Sequence, residues 1–505
     1  MNPLDKIIEI FSPSWASKRQ LARLSMDHAR KYDGAAYSRR TSGWYSPSTS
    51  STAEVETAAI TLRDRMRELV RNNPWASKAI NVIVSNTIGT GIMMSAKSKN
   101  ARGNEAAMRL WRSWAETTDC DASRRHNLYG IQNLAMRTVV ESGEALIIRE
   151  TTTSNTSIPF CLRVCEPDHL DRARDGQVNG GTNRIRQGIE YNEAGIVVAY
   201  WIFKEHPGDR LVSFKDSLIS VRVPADRVIH VYKEERPGQI RGVPWGASTM
   251  IRLRELDDYE DAQLLRQKIS ACYTAFVVDM DGSLTNTDSS ITEKIEPGAI
   301  EILPPGRDIR FASPPSVAGY NDYVSSVLHS VAAGFGITYE SLTGDMSQVN
   351  FSSGRMGWIE MNRNIESWRW NLLVPQMLDP VWEWFVNGAD LVGQNFATVR
   401  PEWTPPRREM IDPKTEIQAI KDSIRSGLMT LSEAQRMFGY DPFKLLTEYS
   451  DDLKQLDALG IVLDIDARKV NDKGSNQSTT PAPTTGANEA TDIALRSLAE
   501  ALSNG

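Results

Sequence analysis

Residues 316–384 read SVAGYNDYVSSVLHSVAAGFGITYESLTGDMSQVNFSSGRMGWIEMNRNIESWRWNLLVPQMLDPVWEW, and two apolar patterns here flank a polar segment that has no period. In the first, Tyr320, Val324, Val327, Val331 and Phe335 recur at helical spacing and form one stripe. Pro314 and Pro315 precede it, Ser316 is placed to cap it, and Gly334 and Gly336 loosen its end. In the second, Trp358, Met361, Ile365, Trp368 and Leu372 repeat the spacing. Ser352 or Ser353 is the expected cap, and Pro375 is expected to kink or break the helix. Between them lies Ile337 to Phe351, with Gly344, Asp345, Ser347, Gln348 and Asn350. A long loop between helices inside a compact domain is usually functional or disordered. Two buried helices joined by a plain surface loop fit the same residues.

At 505 residues the chain has room for about three average domains, and a hydrophobic fraction of 40% supports a core. Thirteen tryptophans suit either broad packing surfaces between helices or subunits, or a Trp-rich core. A net charge of −6 and a pI of about 5.7 lack the basic footprint of a tight nucleic-acid binder. Cys120, Cys161, Cys165 and Cys272 form no zinc ribbon or disulfide framework, which fits a reducing compartment. No run of 18 apolar residues occurs, so no transmembrane helix is expected. The opening MNPLDKIIEIF has no signal-peptide layout.

Residues 1–50 are polar and irregular; Lys31, Arg39 and Arg40 among Tyr32, Tyr37, Trp44 and Tyr45 suit an arm packed on a neighbouring subunit, or nucleic-acid contact. Helical patterns follow from Ser51, through Leu62 to Pro74 and then Ala76, Ile80, Ile83 and Val84. Gly89 and Gly91 lack the third glycine of a nucleotide loop. After helices over 104–142, the best strands are 145–148, 160–164, 196–202 and 228–232. Glu166, Asp168, His169 and Asp171 cluster near a strand end; a metal site is conceivable there, and a solvated polar turn is the favoured reading. His126, His206, His230 and His329 are isolated in sequence and read as structural. A long helix follows, with Leu256, Tyr259, Ala262, Leu265, Ile269 and Cys272 as its apolar stripe. Its DDYED run, residues 257–261, reads as a salt-bridged face between subunits rather than as paired catalytic acids. Strands are expected at 275–278, 300–303 and 309–311, then the helices of residues 316–384, and after Pro405 and Pro406 a small helical set. In that set Thr430 and Glu433 form a capping box. Residues 471–490 have a disordered composition, and Leu495, Leu498 and Leu502 mark a short amphipathic helix.

Several segments carry a family resemblance. Gly334-Phe335-Gly336, Tyr339 and Asn350-Phe351-Ser352-Ser353-Gly354-Arg355 resemble the portal protein of tailed bacteriophages, of the lambda-like type. LRDRMRELVRNNP, NTIGTGI and the RGxPW segment at 241–245 add to it, and the likeness runs from about Arg39 to about Phe443. It implies an α+β portal fold of wing, stem, clip and crown, assembled as a ring of about twelve copies around a central channel. On this chain it implies an N-terminal arm at 1–50, a wing at 51–245, stem helices at 246–274 and 316–336, and a clip at 275–315. A tunnel loop at 337–354, a long wing helix and return at 355–412, a crown at 413–470 and a tail at 471–505 complete it. Gly344, Asp345, Met346, Ser347, Gln348, Val349, Asn350 and Phe351 would line the DNA channel. Asp279, Asp281, Ile300, Ile302, Pro304 and Arg307 would meet the motor and the adaptor. The implied function is the channel for DNA packaging and ejection at the head vertex. The implied partners are double-stranded DNA without sequence specificity, the terminase large subunit, the head–tail adaptor, and the major capsid and scaffold proteins. The implied location is the virion, with assembly in the host cytoplasm.

No GxxxxGK[ST], HExxH, GxSxG or kinase motif occurs, so no enzyme, cofactor or metal is expected. Two rival readings stay open: a metal-dependent nuclease using Glu166, Asp168, His169 and the 257–261 acids, and another ring-forming virion connector.

Overall fold

The computed structural model describes residues 46–152, 156–178, 181–209, 219–272, 276–279, 307–310, 319–407, 410 and 412–461, with a few single positions besides. Contacts divide the chain into two units, residues up to 60 with 234–241, and residues 61–233 with 242 onward. In the first unit, Thr52 Oγ1 donates to the Gly238 carbonyl at 2.8 Å and Arg236 pairs with Glu54 at 2.6 Å.

The second unit is built from helices around small antiparallel sheets. Helix α1 (Ser51–Asn72) enters it and hands over to α2 (Pro74–Thr87) at Asn73. The Asn73 side chain accepts from the Ala76 N–H and Pro74 takes the first helical position, where its missing N–H costs nothing. The predicted face of α2, Ala76, Ile80, Ile83 and Val84, is buried. Strand β1 (Met93–Lys97) and helices α3 (Ala101–Ala115) and α4 (Leu128–Ser142) follow. Strands β2 (Glu144–Thr151) and β3 (Phe160–Cys165) come next; β2 is the centre of a three-stranded sheet whose other edge is β9 (Val228–Tyr232). A five-stranded meander runs through β4 (Gly176–Gln177), β5 (Arg184–Arg186), β6 (Ile189–Tyr191), β7 (Val197–Ile202) and β8 (Val221–Pro224). The four strands read from sequence are all present.

The RGxPW segment ends in two crossing points. A Cβ on Gly242 would run into the Gly143 carbonyl, and one on Gly246 would sit 2.5 Å from Phe335 Cζ. Only glycine lets these chains pass. Helix α5 (Met250–Cys272) follows. Of the predicted apolar stripe, Leu256 is buried and Tyr259 half-buried, while Ala262 and Leu265 are exposed; the side chains of Ile269 and Cys272 lie outside the described residues. Strands β10 (Phe276–Asp279) and β11 (Arg307–Arg310) pair antiparallel, followed by α6 (Tyr320–Phe335). The Ser316 cap and the 300–303 strand lie outside the described residues; Gly319, with φ of 90°, precedes the first turn of α6.

Helix α7 (Tyr339–Thr343) is a single turn, and α8 (Phe351–Trp368) begins the longest helical run. The cap of α8 is Asn350, not Ser352 or Ser353; Ser353 instead returns its hydroxyl to the Asn350 N–H in a reciprocal box. Nor does Pro375 break the run. Residues Arg369–Leu378 widen into a π-helix, in which the Asp379 N–H reaches back to the Val374 carbonyl, and α9 (Asp379–Leu391) continues it. Proline lacks the donor for an α-helical bond and its ring crowds the carbonyl four residues back; the wider turn makes room for it. Strand β12 (Arg400–Thr404) returns to pair with β1. Helices α10 (Pro413–Arg425), α11 (Leu431–Met437) and α12 (Pro442–Leu459) complete the described chain. Thr430 caps α11 by accepting from the Glu433 N–H, one half of the expected box.

The main core gathers tryptophans from distant segments. Trp111 lies 5.6 Å from Trp114, 5.5 Å from Trp382 and 4.9 Å edge-on from Phe385, with Trp403 at 6.2 Å, all between ring centroids. These rings weld α3 to α9 and β12. This favours the Trp-rich core over tryptophans reserved for outer packing surfaces. A second lock is polar. Arg369, buried at the start of the π segment, donates from Nε to the Thr87 carbonyl at 2.8 Å and from Nη2 to the Asn86 carbonyl at 2.6 Å. These are carbonyls of the last turn of α2, so a cation sits at the negative end of that helix. Its remaining arm bonds Glu366 at 2.9 Å.

Replacing Arg369 by Ala removes both carbonyls' partner, the buried one at Thr87 among them, and a loss of about 1–3 kcal/mol is expected. Urea unfolding followed by far-UV circular dichroism should show a lower midpoint; an unchanged midpoint would remove Arg369 from the framework.

Candidate functional site

The polar segment between α6 and α8 is anchored at both ends. α6 stops at Gly336, a left-handed residue with φ of 72°, and Ile337 turns inward to be buried. Asn364 Nδ2 of α8 donates to the Gly336 carbonyl at 2.9 Å, which ties the incoming strand of the loop to the outgoing helix. Thr338 caps α7 by accepting from the Ser341 N–H, Leu342 is buried, and Gly344, with φ of 76°, ends the turn. The His329 ring stacks on Tyr339 at 4.0 Å, with 8° between planes.

What projects from this base is short. Gly344, Asp345, Met346, Ser347 and Gln348 are all exposed, Met346 at 60%. Asp345 folds the tip: its Oδ1 accepts from the Ser347 N–H at 2.9 Å, while its own N–H donates to Thr343 Oγ1. The bonds from the Ser347 N–H and hydroxyl hold the Asp345 carboxyl below its ordinary value, so it stays charged in solvent. Val349 is half-buried, and a Cβ on Gly354 would lie 2.9 Å from its Cγ1, so glycine there lets Val349 lie down on α8. Asn350 is spent on capping, and Phe351, 58% exposed, is already helical. The irregular stretch is therefore 344–350, narrower than the expected 337–354. α7 takes up 339–343 and α8 takes up 351–354, because two local caps were worth more than an extended loop.

The second expected site is the β10–β11 hairpin. Asp279 and Arg307 are register partners across it. Asp281, Ile300, Ile302 and Pro304 lie outside the described residues.

Of the acids near residue 168, Glu166 stays exposed, while Asp168 is largely withdrawn from solvent and ion-paired. Arg67 Nη2 bonds Asp168 at 2.7 Å and Glu166 at 3.0 Å, and Arg63 Nη1 reaches Asp168 at 3.2 Å. Arg63, fully buried, also reaches Glu144 at 3.4 Å, and Glu144 accepts from the Gly242 N–H and faces His230 at 2.9 Å. Burial pushes the Asp168 carboxyl up, but the two guanidinium groups outweigh it and hold it below its ordinary value. Among the described residues, Glu166, Asp168 and His206 are the group whose ligand atoms come within 4.8 Å of one another; His169 and Asp171 do not join them. The charge a metal would supply there is already supplied by Arg67. The α5 acids are engaged elsewhere: Asp257 accepts from Asn73 and Glu260 from Tyr320. The nuclease geometry is thus not assembled. Sequence reading missed the network's cations, although Arg63 and Arg67 stand four apart on α1, the spacing that puts two side chains on one helix face. Among the described residues, no helix is long and apolar enough to cross a membrane.

Substituting Asn350 by Ala should cost about 1 kcal/mol by uncapping α8, while Asp in its place should cost little. Urea titration separates the two. The bonds Asp345 accepts in its charged form should persist at neutral pH. Because its pKa is depressed on folding, they are lost only as pH falls below the ordinary 3.8, which NMR titration of the carboxyl would follow.

Comparison with known proteins shows the family. The model of the lambda-family phage portal protein matches residues 37–369, well over half the chain and the whole of the loop and its two helices. The chain is 27% identical over 425 residues to a "Probable portal protein" of Halomonas phage phiHAP-1, covering 79% of this chain and 81% of that one. It is 23% identical over 365 residues to "Portal protein B" of Escherichia phage lambda, covering 64% and 67%. Among solved structures, a chain from the "Virion of native gene transfer agent (GTA) particle" is 14% identical, with 76% of this chain and 94% of that one covered and a TM-score of 0.46. With the match to residues 37–369, the chain belongs to the lambda family of phage portal proteins.

Proposed function

We propose that copies of this chain close into a ring of about twelve by a heterologous contact. The tip Gly344–Gln348 of each copy then faces a central channel for double-stranded DNA. The observation that carries this reading is the family match over the loop together with the loop's form, a short exposed tip on a base fixed by two helix ends. Repetition turns one acid into a ring of negative charge. Asp345 repels phosphates at the range of a Debye length, about 8–10 Å at physiological salt. Gln348 offers neutral, weak contacts, and Met346 a flexible apolar one. Asn350 contributes less than its amide suggests, since its oxygen is held by the Ser353 N–H. DNA then passes without a fixed register, because nothing in the wall binds a phosphate tightly enough to stop it.

The remaining parts follow the same reading. Residues 51–245 form the wing, α5 and α6 the stem, and the segment carrying β10 and β11 the clip that meets the terminase large subunit and later the head–tail adaptor. α8, the π segment and α9 form the long wing helix, and α10–α12 the crown. The ring sits at a vertex of the virion, beside the capsid and scaffold proteins. Its work is positional, with no bond made or broken by its own side chains.

Deleting Asp345–Val349 while keeping Asn350 as the α8 cap tests the loop. Rings should still form, and packaged or retained DNA should fall at least about tenfold in a plaque-complementation and DNA-protection assay. Asp345→Lys should slow passage more at low salt than at high salt. Normal packaging by both variants would remove the loop from the channel.

A further inference from the structure

A continuous run of contacts ties the carboxylate of Asp345 to α6. It starts at His329, which is exposed and whose Nδ1 lies 2.7 Å from the Ser325 carbonyl one turn back. A carbonyl oxygen only accepts, so Nδ1 carries the proton and the ring is held against its own helix. That ring lies flat on Tyr339, with 4.0 Å between centroids and 8° between planes. Most aromatic pairs stand farther apart, from roughly 4.5 Å upward. Tyr339 opens α7, and its half-buried side chain packs on the main core. Its carbonyl accepts from Thr343 Oγ1 at 2.9 Å, and Thr343 Oγ1 accepts in turn from the Asp345 N–H at 3.1 Å. A hydroxyl has one proton and two lone pairs, so it makes both bonds at once. Asp345 Oδ1 then takes the Ser347 N–H at 2.9 Å.

The need for such a run lies in the length of α7. Five residues are too few to be stable as a helix alone, so contacts at its two ends decide where its last turn points. Leu342, buried, sets its depth, and the Gly344 N–H closes its backbone on the Glu340 carbonyl at 2.7 Å. Neither contact touches the Asp345 carboxylate. The Thr343 hydroxyl does reach that residue, and the turn that carries it is braced on α6 by the imidazole. His329 is itself on the surface, so the contact serves α7 rather than the core.

We propose that His329 is a positioning residue for the channel loop. Its stack on Tyr339 sets the angle of α7, and the Thr343 hydroxyl passes that angle to Asp345. Each copy then aims its acid in the same direction. This rests on the channel reading above for what the acid faces, while the relay lies within one chain.

Amide hydrogen exchange of the full chain, measured by mass spectrometry on the peptide 344–350, tests the relay and needs no ring. Alanine is well tolerated in an exposed helix, so His329→Ala keeps α6. It should speed exchange of the loop about fivefold, the factor one lost hydrogen bond is worth. Thr343→Val should do the same, and Thr343→Ser should restore the original rate. The two losses should not add, because the residues act in series. In the DNA-protection assay His329→Ala should lower retained DNA, and should lower it no further in an Asp345→Ala background. Unchanged loop exchange in His329→Ala overturns the proposal with the channel reading intact. Faster exchange shared by residues 331–335 also overturns it, since His329 would then support α6 and not the loop. An additive loss in the double variant overturns it as well. Coupled exchange together with normal packaging by the loop deletion separates the two: the relay stands and the channel reading falls.

Discussion

The guanidinium of Arg369 is the constraint on which the loop's position depends. It closes the carbonyl end of α2 and belongs to the same continuous helix whose far end is capped at Asn350. Eighteen residues of α-helix span about 27 Å at 1.5 Å per residue, so a shift at the anchor is carried as a rigid displacement to the loop. Trp245 against Trp368, at 4.9 Å, and Asn364 on Gly336 keep that lever from rotating. The channel proposed above would need this rigidity, because each copy would have to present its tip at the same radius.

The buried ion network around Arg63 has a different purpose. Taking charges out of water costs several kcal/mol per ion, and well-packed apolar residues would often serve stability as well. What the network adds is register. Arg63 joins Glu144 on β2 to Asp168 after β3, and Glu144 in turn accepts from the Gly242 N–H where two chains cross. The segment LRDRMRELVR, one of those that carried the family resemblance, is thus also the segment that pins α1 to the sheet.

Much of this was legible in the sequence, for a physical reason: the stripes that bury are periodic. Val331, Phe335, Met361, Ile365 and Trp368 are buried as their spacing foretold, as are the faces of α2 and of the best strands. What was missed is what periodicity does not encode. Pro375 looked like a stop because a proline in an α-helix is one; tertiary packing on both sides made a π turn cheaper than a break. The capping role of Asn350 went unread, since the loop and the helix compete for the same side chain. The acids at 166 and 168 looked solvated because their partners, Arg63 and Arg67, stand about a hundred residues away. Leu265 belongs to the apolar pattern and is exposed in the chain, a mismatch that makes sense when a surface is finished by another copy.

The central claim is geometric: many copies, one hole, a loop at its rim. Cryo-electron microscopy of the purified, assembled chain tests it most directly. The account requires a closed ring with a central opening and density for Gly344–Gln348 lining the narrowest part of it. A ring whose opening is filled by side chains, or one that carries Met346 on its outer surface, would contradict it.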